Sequence, residues 1–434
     1  VGAPTSFPQR WDGHLSGHRA MVLLRAGAEG LLLPNSAFPP NVVAHSVPRA
    51  CRNAQLVLWR PPMCSDSSYE TPTSCLNNVE CSVCAVSKIS IKLNSSVGAG
   101  QPNDIDCVAA PSWQEQLVDL IRDPAELLEL LGLSEQNLPQ ALAAAKTFPL
   151  RVPRVYAKRI QYGDINDPLL RQVLPMGDEL LAVPGYSVDP LGEANSNELP
   201  GLIHKYKGRV LLLVSTSCAI NCRYCFRREF PYGDNKPSRE HWRRVFDYIA
   251  ADDSINEVIL SGGDPLTAPD SQLAWLLGQV QSIPHIRRLR IHTRLPVVVP
   301  SRIDDACLAW LTGHRLQTVL VIHSNHANEI DDEVRAALTR LQAAGVTLLN
   351  QTVLLRGVND SVAALKNLSE ALFASGVLPY YLHLLDRVNG AAHFDVPESQ
   401  AKALYQALLA ELPGFLMPKL VREIAGETSK TPIF

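Results

Sequence analysis

The chain has 434 residues, of which 46% are apolar and 19% charged, so its composition can form a large packed core. Its net charge of −3 argues against a general surface for nucleic acid or membrane. No apolar run reaches the roughly 18 residues of a transmembrane helix, and ten cysteines in so long a chain do not make a disulfide scaffold.

Residues 1–105 show no sustained helical or strand periodicity and are rich in Pro, Ser, Asn and scattered Cys. We predict that they form an irregular extension, either poorly ordered or mis-assigned, and we assign them no function. Cys81 and Cys84 resemble half of a zinc-binding knuckle, but no partner pair stands at a suitable spacing. The apolar segment at residues 21–26 is too short and too poorly flanked for a signal peptide.

Residues 106–200 are predicted to be a helical region followed by a linker. Apolar residues recur at helical spacing in segments 113–122, 124–131 and 134–146. Asp123 is expected to cap the second helix, with Pro124 at its first position. Asp-Pro and Pro-Gly pairs between residues 167 and 201 indicate the turns of the linker.

Residues 201–434 alternate between short apolar runs and amphipathic stretches, which is typical of βαβ units and a parallel sheet. We predict strands at residues 210–214, 257–260, 288–292, 318–323, 347–354 and 380–384. We predict helices at residues 238–251, 271–282, 303–312, 331–344, 361–375 and 397–411. An α/β fold with an open, partial (β/α)6 barrel fits this pattern, which is short of the eight strands of a closed barrel. A flavodoxin-like open sheet would show the same alternation.

Three cysteines follow the first predicted strand: Cys218, Cys222 and Cys225, at C-x3-C-x2-C spacing. Thiolates hold the irons of a [4Fe–4S] cluster one apiece, so three of them leave one iron open. This arrangement is typical of radical S-adenosylmethionine (SAM) enzymes, in which the open iron binds the amino and carboxylate groups of SAM. A structural zinc site and three buried cysteines are the alternatives, and the lack of a second pair disfavours zinc. A low-potential cluster also predicts a reducing compartment, the cytosol.

Gly262, Gly263 and Asp264 directly follow the second predicted strand. Paired glycines let a ligand approach the backbone and offer it N–H and C=O groups. Most such triplets are ordinary turns. On the strand after a three-cysteine loop, however, they match the radical SAM motif that holds the methionine amino group, so we predict that these residues bind SAM.

Lys430 lies in a small, polar segment just before Pro432. Most lysines of this kind are solvated surface residues. A lysine that anchors pyridoxal phosphate (PLP) must lie where its covalent bond to the cofactor can break and re-form. Lys205, Tyr206 and Arg209, just before the first strand, could supply cations and a hydroxyl to the phosphate, although an ordinary basic strand entry is the alternative.

From about residue 113 to residue 434 the chain resembles the lysine 2,3-aminomutase family, and more closely the branch that makes (R)-β-lysine for modification of elongation factor P. Seven segments carry the resemblance in one order: HKYKGR (204–209), CAINCRYCFRR (218–228), LSGGDP (260–265), RIHTRLP (290–296), NQTVLLRGVND (350–360), PYYLHLLD (379–386) and SKTP (429–432). The resemblance does not reach the first hundred residues. It implies a radical SAM, PLP-dependent isomerase that moves the α-amino group of L-lysine to Cβ.

The resemblance also implies roles for single residues. The three cysteines match the cluster ligands and the SKTP lysine matches the PLP lysine. Arg227 matches an arginine that grips the substrate carboxylate, and Asp386 and Glu423 match two aspartates that bind the distal ammonium of lysine. The longer arm of Glu423 is a departure that alters the seating of the substrate. Asn350 and Gln351 are predicted cofactor contacts.

The partners implied by the resemblance are L-lysine, an electron donor such as flavodoxin or ferredoxin, and elongation factor P with its lysyl-transferring ligase. No nucleic-acid or membrane partner is expected, and a homo-oligomer is compatible with the resemblance. No structural zinc is expected. Ser361 replaces a cysteine of the mutases that act on free lysine, and the cysteine-bearing tail of those mutases does not follow Lys430.

Two other functions stay open. The chain could be a lysine 2,3-aminomutase of free-lysine metabolism, or a non-catalytic protein that binds an iron–sulfur cluster and PLP. A glutamate mutase is disfavoured, because Asp386 and Glu423 would repel the side chain of glutamate.

Overall fold

The computed structural model describes residues 110–231 and 238–434, together with the backbone of five short strands nearer the start of the chain. Those strands are β1 Leu24–Ala26, β2 Glu29–Leu31, β3 Gln55–Leu56, β4 Glu80–Cys81 and β5 Ile89–Ser90. The predictions for residues 1–105, including the half-knuckle of Cys81 and Cys84, otherwise lie outside the described residues. From Ile105 onward the chain forms one compact unit.

This unit begins with a helical region. Its elements are α1 Trp113–Val118, β6 Leu120–Ile121, α2 Pro124–Leu130, α3 Leu138–Thr147, β7 Val152–Pro153, α4 Arg154–Ala157 and α5 Pro168–Arg171. As predicted, Asp123 caps α2, because its carboxylate accepts a hydrogen bond of 2.9 Å from the backbone N–H of Ala125. The first helix is shorter than predicted, since the two buried residues of β6 pair with β7 instead.

The described residues from 197 onward build a ten-stranded sheet whose strands stand in chain order. They are β8 Asn197–Leu199, β9 Leu202–Tyr206, β10 Arg209–Ser215, β11 Glu257–Gly262, β12 Arg288–Thr293, β13 Gln317–Ile322, β14 Thr347–Val353, β15 Leu378–His383, β16 Lys419–Arg422 and β17 Thr431–Pro432. Strands β10 to β16 run parallel, and β8, β9 and β17 are antiparallel to their neighbours. This sequential order excludes the flavodoxin-like alternative, in which the strand order reverses at a switch point.

Helices connect the parallel strands. They are α6 Arg239–Ala251, α7 Asp270–Ser282, α8 Leu295–Val298, α9 Asp305–Leu311, α10 Asp332–Ala343, α11 Val362–Ala374 and α12 Glu398–Glu411. The predicted strands are confirmed as β10 to β15, and the predicted helices as α6, α7 and α9 to α12. Strand β16 was not predicted, because only Leu420 and Val421 of its four residues are buried and apolar.

The sheet curls so strongly that its two ends meet. In a flat sheet β9 and β16 would stand seven strand spacings apart, which is roughly 34 Å at about 4.8 Å per strand. Instead, Lys205 Nζ on β9 lies 2.7 Å from Glu423 Oε1, one residue beyond β16. The strand order does not close on itself, so the described sheet is an open barrel.

The core lies on both faces of this barrel wall. Leu212, Leu260 and Leu320 lie on one face of successive parallel strands. Leu213, Ile259 and Val321 lie on the other face, and all six are at most 8% exposed, as a sheet covered on both faces requires. Among the described helices, none combines the length and apolar character needed to cross a membrane.

Alanine substitutions at two glycines test whether the close backbone packing at the end of β11 requires glycine. Gly262 is the last residue of β11, and Gly278 in α7 is the control. Gly262 has a φ of +119°, and a Cβ there would lie 2.5 Å from the carbonyl oxygen of Ser215. We expect Gly262→Ala to lower the free energy of unfolding by about 1–3 kcal/mol through backbone strain. Gly278, within α7, has open space around its Cβ position, so Gly278→Ala should raise it by about 0.5–1 kcal/mol. Urea unfolding of both variants measures the difference, and equal effects would contradict the geometry.

Candidate active site

The cysteine loop leaves β10 and lies directly on the end of β11. The backbone N–H of Gly263 donates to the carbonyl of Ser215 at 2.8 Å, and that of Asp264 donates to the carbonyl of Ser217 at 2.9 Å. A Cβ on Gly263 would lie 2.5 Å from the carbonyl oxygen of Ser217. The paired glycines therefore first admit the backbone of the cysteine loop, a reason that the sequence did not reveal. Their binding of SAM stays a prediction.

Cys218, Cys222 and Cys225 are free thiols, each partly exposed. Burial, followed by the neighbouring Cys225, raises the pKa of the Cys218 thiol well above its usual range. Burial and then Cys222 raise the pKa of Cys225 to about 11. Both thiols are therefore neutral without a metal, and metal binding must displace their protons. Three free thiols on one loop are the donor set that a [4Fe–4S] cluster with one open iron requires.

Asp264 does not point at an open ligand position. Its buried carboxylate accepts hydrogen bonds from the Thr293 hydroxyl at 2.6 Å and from the backbone N–H groups of Arg294 at 2.7 Å, Leu266 at 3.0 Å and Leu295 at 3.1 Å. Asp264 thus joins the ends of β11 and β12. Its side chain positions the backbone of Arg294, its main-chain N–H donates to Ser217, and its carbonyl accepts from the Thr267 hydroxyl at 2.7 Å. Its predicted contact with SAM stays a prediction.

Arg294 connects this junction to the cysteines, which sequence reasoning did not anticipate. Its Nη1 donates to Cys222 Sγ at 2.7 Å. Its Nη2 donates to Glu329 Oε2 at 2.8 Å and to Gln172 Oε1 at 2.7 Å. The guanidinium is 5% exposed and Glu329 is fully buried, so this is a desolvated ion pair. Its sequence signals were its place just after a predicted strand and its presence in the RIHTRLP segment (290–296).

A second group unites residues for which the sequence predicted different roles. Lys430 Nζ donates to Glu423 Oε2 at 2.6 Å, and Lys205 Nζ donates to Glu423 Oε1 at 2.7 Å. The Tyr206 hydroxyl donates to the same Oε1 at 3.0 Å. Arg209 stacks over the Tyr206 ring, 4.5 Å from its centroid. Lys430, the expected PLP lysine, therefore lies beside the expected phosphate-binding residues. It also lies beside Glu423, the carboxylate expected to bind the ammonium of the substrate.

The charge state of Glu423 follows from these cations. Burial alone would raise its pKa, but Lys430 and then Lys205 outweigh burial and hold the pKa well below its usual range. Glu423 is consequently a carboxylate with both oxygens paired. In this state two ammonium groups already balance its negative charge, so it attracts a further ammonium only weakly.

Asp386 lines the same cavity as Glu423 but is in the opposite electrostatic situation. The cavity has a volume of about 380 Å³, and its far wall is the linker segment around Ser187 and Leu191. Burial and then the negative charge of Glu423 raise the pKa of Asp386 to about 7. A cation that arrived in this cavity would stabilise the charged form of Asp386.

Arg227 has a protein carboxylate where a substrate carboxylate was predicted. Its Nε and Nη2 each donate to an oxygen of Glu193 at 2.7 Å, and its Nη1 donates to Ser261 Oγ at 3.1 Å. Both partners of this two-pronged ion pair are almost fully buried. Glu193 comes from the linker, and its role was not predicted.

The side chain of Asn350 is held by its own strand and by the loop after β13. Its amide accepts from the Ser324 N–H at 2.9 Å and donates to the Ser324 carbonyl at 3.1 Å and to Thr352 Oγ1 at 2.8 Å. These bonds tie β14 to the loop after β13. Gln351 follows on β14 and is partly exposed. The predicted cofactor contacts of both residues stay predictions.

Three histidines, His292, His323 and His383, lie at or just beyond strand ends; His383 is buried, and the other two are partly exposed. His292 Nδ1 lies 3.4 Å from His323 Nε2, and the Nε2 of His383 has no hydrogen-bond partner among the described residues. Burial first, and then nearby cations, lower the pKa of all three, that of His323 to about 4. They are therefore neutral imidazoles. Since Lys430 is one of the cations acting on each, they surround the Lys430 side of the barrel.

The donors around Lys430 fit a bound PLP. Lys430 and Lys205 offer two amines, and Tyr206 and Arg209 add a hydroxyl and a guanidinium close by. The unpartnered Nε2 of His383 adds a buried polar atom on the same side. Within residues 110–231 and 238–434, no three His, Cys, Asp or Glu side chains are grouped around a position for a single metal ion.

Known proteins similar to this chain include radical SAM enzymes and L-lysine 2,3-aminomutases. The model of the Radical SAM superfamily matches residues 212–368. The L-lysine 2,3-aminomutase of Escherichia coli (strain K12) is 53% identical over 322 residues, which is 74% of this chain and 94% of that protein. The L-lysine 2,3-aminomutase of Haemophilus influenzae is 51% identical over 320 residues, 74% of this chain and 95% of that protein.

More distant relatives carry the same name. The L-lysine 2,3-aminomutase of Clostridium subterminale is 34% identical over 322 residues, 74% of this chain and 77% of that protein. Among solved structures, a radical SAM methyltransferase from Sphaerobacter thermophilus is similar, with 17% identity and a TM-score of 0.37 over 51% of this chain and 68% of that chain.

The cluster assignment can be tested by removing one thiol. After anaerobic reconstitution with iron and sulfide, the unmodified protein should hold about four irons per chain. We expect Cys222→Ala to lose the visible absorbance of the cluster. Cys307→Ala is the matched control. Cys307 is a free, buried thiol within α9, so its removal should leave the cluster absorbance unchanged. An intact cluster in Cys222→Ala would reject the assignment.

Proposed function

Because this chain belongs to the lysine 2,3-aminomutase family of radical SAM enzymes, we propose that it is a PLP-dependent enzyme that converts L-lysine to (R)-β-lysine for modification of elongation factor P. It is an isomerase of the aminomutase class. The observation that carries the proposal is the contact of Lys430 and Lys205 with Glu423, beside Asp386, in one barrel. These are the residues that cofactor and lysine would need.

When bound, the cluster and SAM supply a 5′-deoxyadenosyl radical, and PLP carries the migrating amino group. The protein holds the cluster through Cys218, Cys222 and Cys225 and offers Lys430 for the covalent bond to PLP. Lys205, Tyr206 and Arg209 would face its phosphate. The remaining task of the chain is to orient the substrate and to exclude water.

Glu423 couples cofactor binding to substrate binding. A phosphate that takes Lys205 and a covalent bond that takes Lys430 both withdraw cations from Glu423. A buried carboxylate without its cations is unfavourable in free energy, so Glu423 would then bind a new positive charge strongly. The distal ammonium of lysine supplies it, with Asp386 on the same cavity wall. Uncharged side chains would leave these carboxylates unpaired, which explains selectivity for lysine.

Arg227 would receive the α-carboxylate of lysine. Its two-pronged bond to Glu193 displays the geometry that a carboxylate ligand needs, at 2.7 Å from each donor. The substrate carboxylate therefore competes with Glu193 for the same edge of the guanidinium. Because Glu193 belongs to the linker, binding at Arg227 and the position of the linker are connected.

Support for the elongation-factor branch comes from single positions. Glu423 stands where the mutases of free lysine carry an aspartate, and Ser361 stands where they carry a cysteine. Ser361 directly follows a segment that resembles the branch acting for elongation factor P, and Glu423 lies between two such segments. Cytosolic location and a flavodoxin- or ferredoxin-like electron donor belong to the same proposal.

The test is a product analysis. The protein is reconstituted anaerobically with iron, sulfide and PLP, then given L-lysine, SAM and dithionite. (R)-β-lysine that the lysyl-transferring ligase attaches to elongation factor P would support the whole proposal. (S)-β-lysine would move the enzyme to free-lysine metabolism. Lys430→Ala should lose both the absorbance of lysine-bound PLP and the product, whereas no product from the unmodified holoprotein would reject the aminomutase.

The raised pKa of Asp386 predicts a pH dependence. Protonated Asp386 cannot pair with an ammonium, and a cofactor that withdraws Lys430 and Lys205 removes two cations that lower its pKa. We therefore expect kcat/KM for lysine to rise with pH through about 7 or above. Asp386→Asn removes one bond to a charged group, so kcat/KM should fall about 10- to 100-fold and the acid limb should disappear. Asp253→Asn, at an exposed loop position, is the control. If Asp386→Asn showed the same fall of kcat/KM at low pH, another group would be responsible for that pH dependence.

A further inference from the structure

The contact between Arg294 and Cys222 is unlike the other polar contacts of the cysteine loop. A guanidinium N–H points at one thiol sulfur from 2.7 Å, and the guanidinium is buried. A buried cation beside one of three cluster ligands acts through a low dielectric and is screened little by solvent.

The position of Arg294 is fixed independently of the sulfur. Asp264 accepts from its backbone N–H at 2.7 Å, and Gln172 and Glu329 hold Nη2 at 2.7 and 2.8 Å. Glu329 is itself anchored, since its Oε1 accepts from the backbone N–H groups of Asn325 at 2.8 Å and His326 at 3.0 Å. The donor is therefore aimed at Cys222 before any cluster is bound.

A donor aimed at a cluster sulfur has a defined chemical consequence. Reduction adds one electron, from an external one-electron donor, to the oxidised cluster and makes it more negative. A nearby cation and an N–H···S bond stabilise the more negative state and raise the reduction potential. We propose that Arg294 is a positioning residue that sets the reduction potential of the cluster through the Cys222 thiolate. This inference rests on the cluster of the proposed function but not on PLP or lysine.

The proposal is tested on the full chain, reconstituted with iron and sulfide and without SAM, PLP or lysine. The cluster is titrated with dithionite and mediators, and the reduced form is measured by electron paramagnetic resonance. Arg294→Gln removes the charge, so the ratio of reduced to oxidised cluster at a given potential should fall at least tenfold, a negative shift of 59 mV. Arg294→Lys keeps the charge and should recover part of the shift.

Arg302→Lys is the matched control. Arg302 is a fully buried arginine that pairs with Asp270 and donates to the Leu266 carbonyl at 2.8 Å. Its charge acts on Cys307, which is not one of the three loop cysteines. It should lower the thermal stability and leave the potential unchanged. If Arg302→Lys shifted the reduction potential by the same amount, the effect would be due to general loosening of the barrel. That result would overturn the proposal.

A second variant works in the opposite direction. Glu329→Gln keeps the guanidinium but removes its compensating charge, so the potential should become more positive. It also serves if Arg294→Gln does not fold. Unchanged potentials in the Arg294 and Glu329 variants that still hold about four irons would overturn the proposal. Failure of the unmodified protein to assemble a cluster would instead count against the proposed function.

Discussion

The buried carboxylate of Glu423 is the constraint on which the rest of this structure depends. In the described sheet no backbone ladder crosses the gap of the open barrel. Glu423, just after β16, bonds across this gap to Lys205 on β9, and it also binds Lys430, just before β17. All three side chains are largely buried, so each charge needs the others. The ends of the sheet are thus joined by charges that a cofactor would also use, and occupying the site alters what joins the barrel.

The same logic explains how the linker before the barrel belongs to the site. Its carboxylates neutralise the arginines that follow the cysteines: Glu193 pairs with Arg227, and Glu179 pairs with Arg223 and Arg228 at 2.6 and 2.8 Å. Without these partners, three cations would be buried beside one loop. The linker therefore does more than connect the helical region to the barrel, since it fixes the loop that presents the thiols.

Local patterns were predictable from the sequence and distant partners were not. Strand and helix positions follow from apolar periodicity, and the cap at Asp123 follows from residue type. The thiol loop was predictable because its spacing is local. Glu193 and Glu329 were missed because they meet Arg227 and Arg294 across 34 and 35 residues, and only the fold brings them together. Many acidic residues stand at such distances, so no sequence pattern selects these two.

The two carboxylates in this cavity have pKa values shifted in opposite directions. This difference favours one order of cofactor and substrate binding. Glu423 is held ionised by Lys430 and Lys205, whereas burial and the charge of Glu423 raise the pKa of Asp386 to about 7. A substrate cation that arrived first would meet a satisfied Glu423 and a half-protonated Asp386. A cofactor that drew both lysines away, as proposed, would leave two carboxylates without a partner in this cavity. Cofactor before lysine is therefore the order that the charges favour.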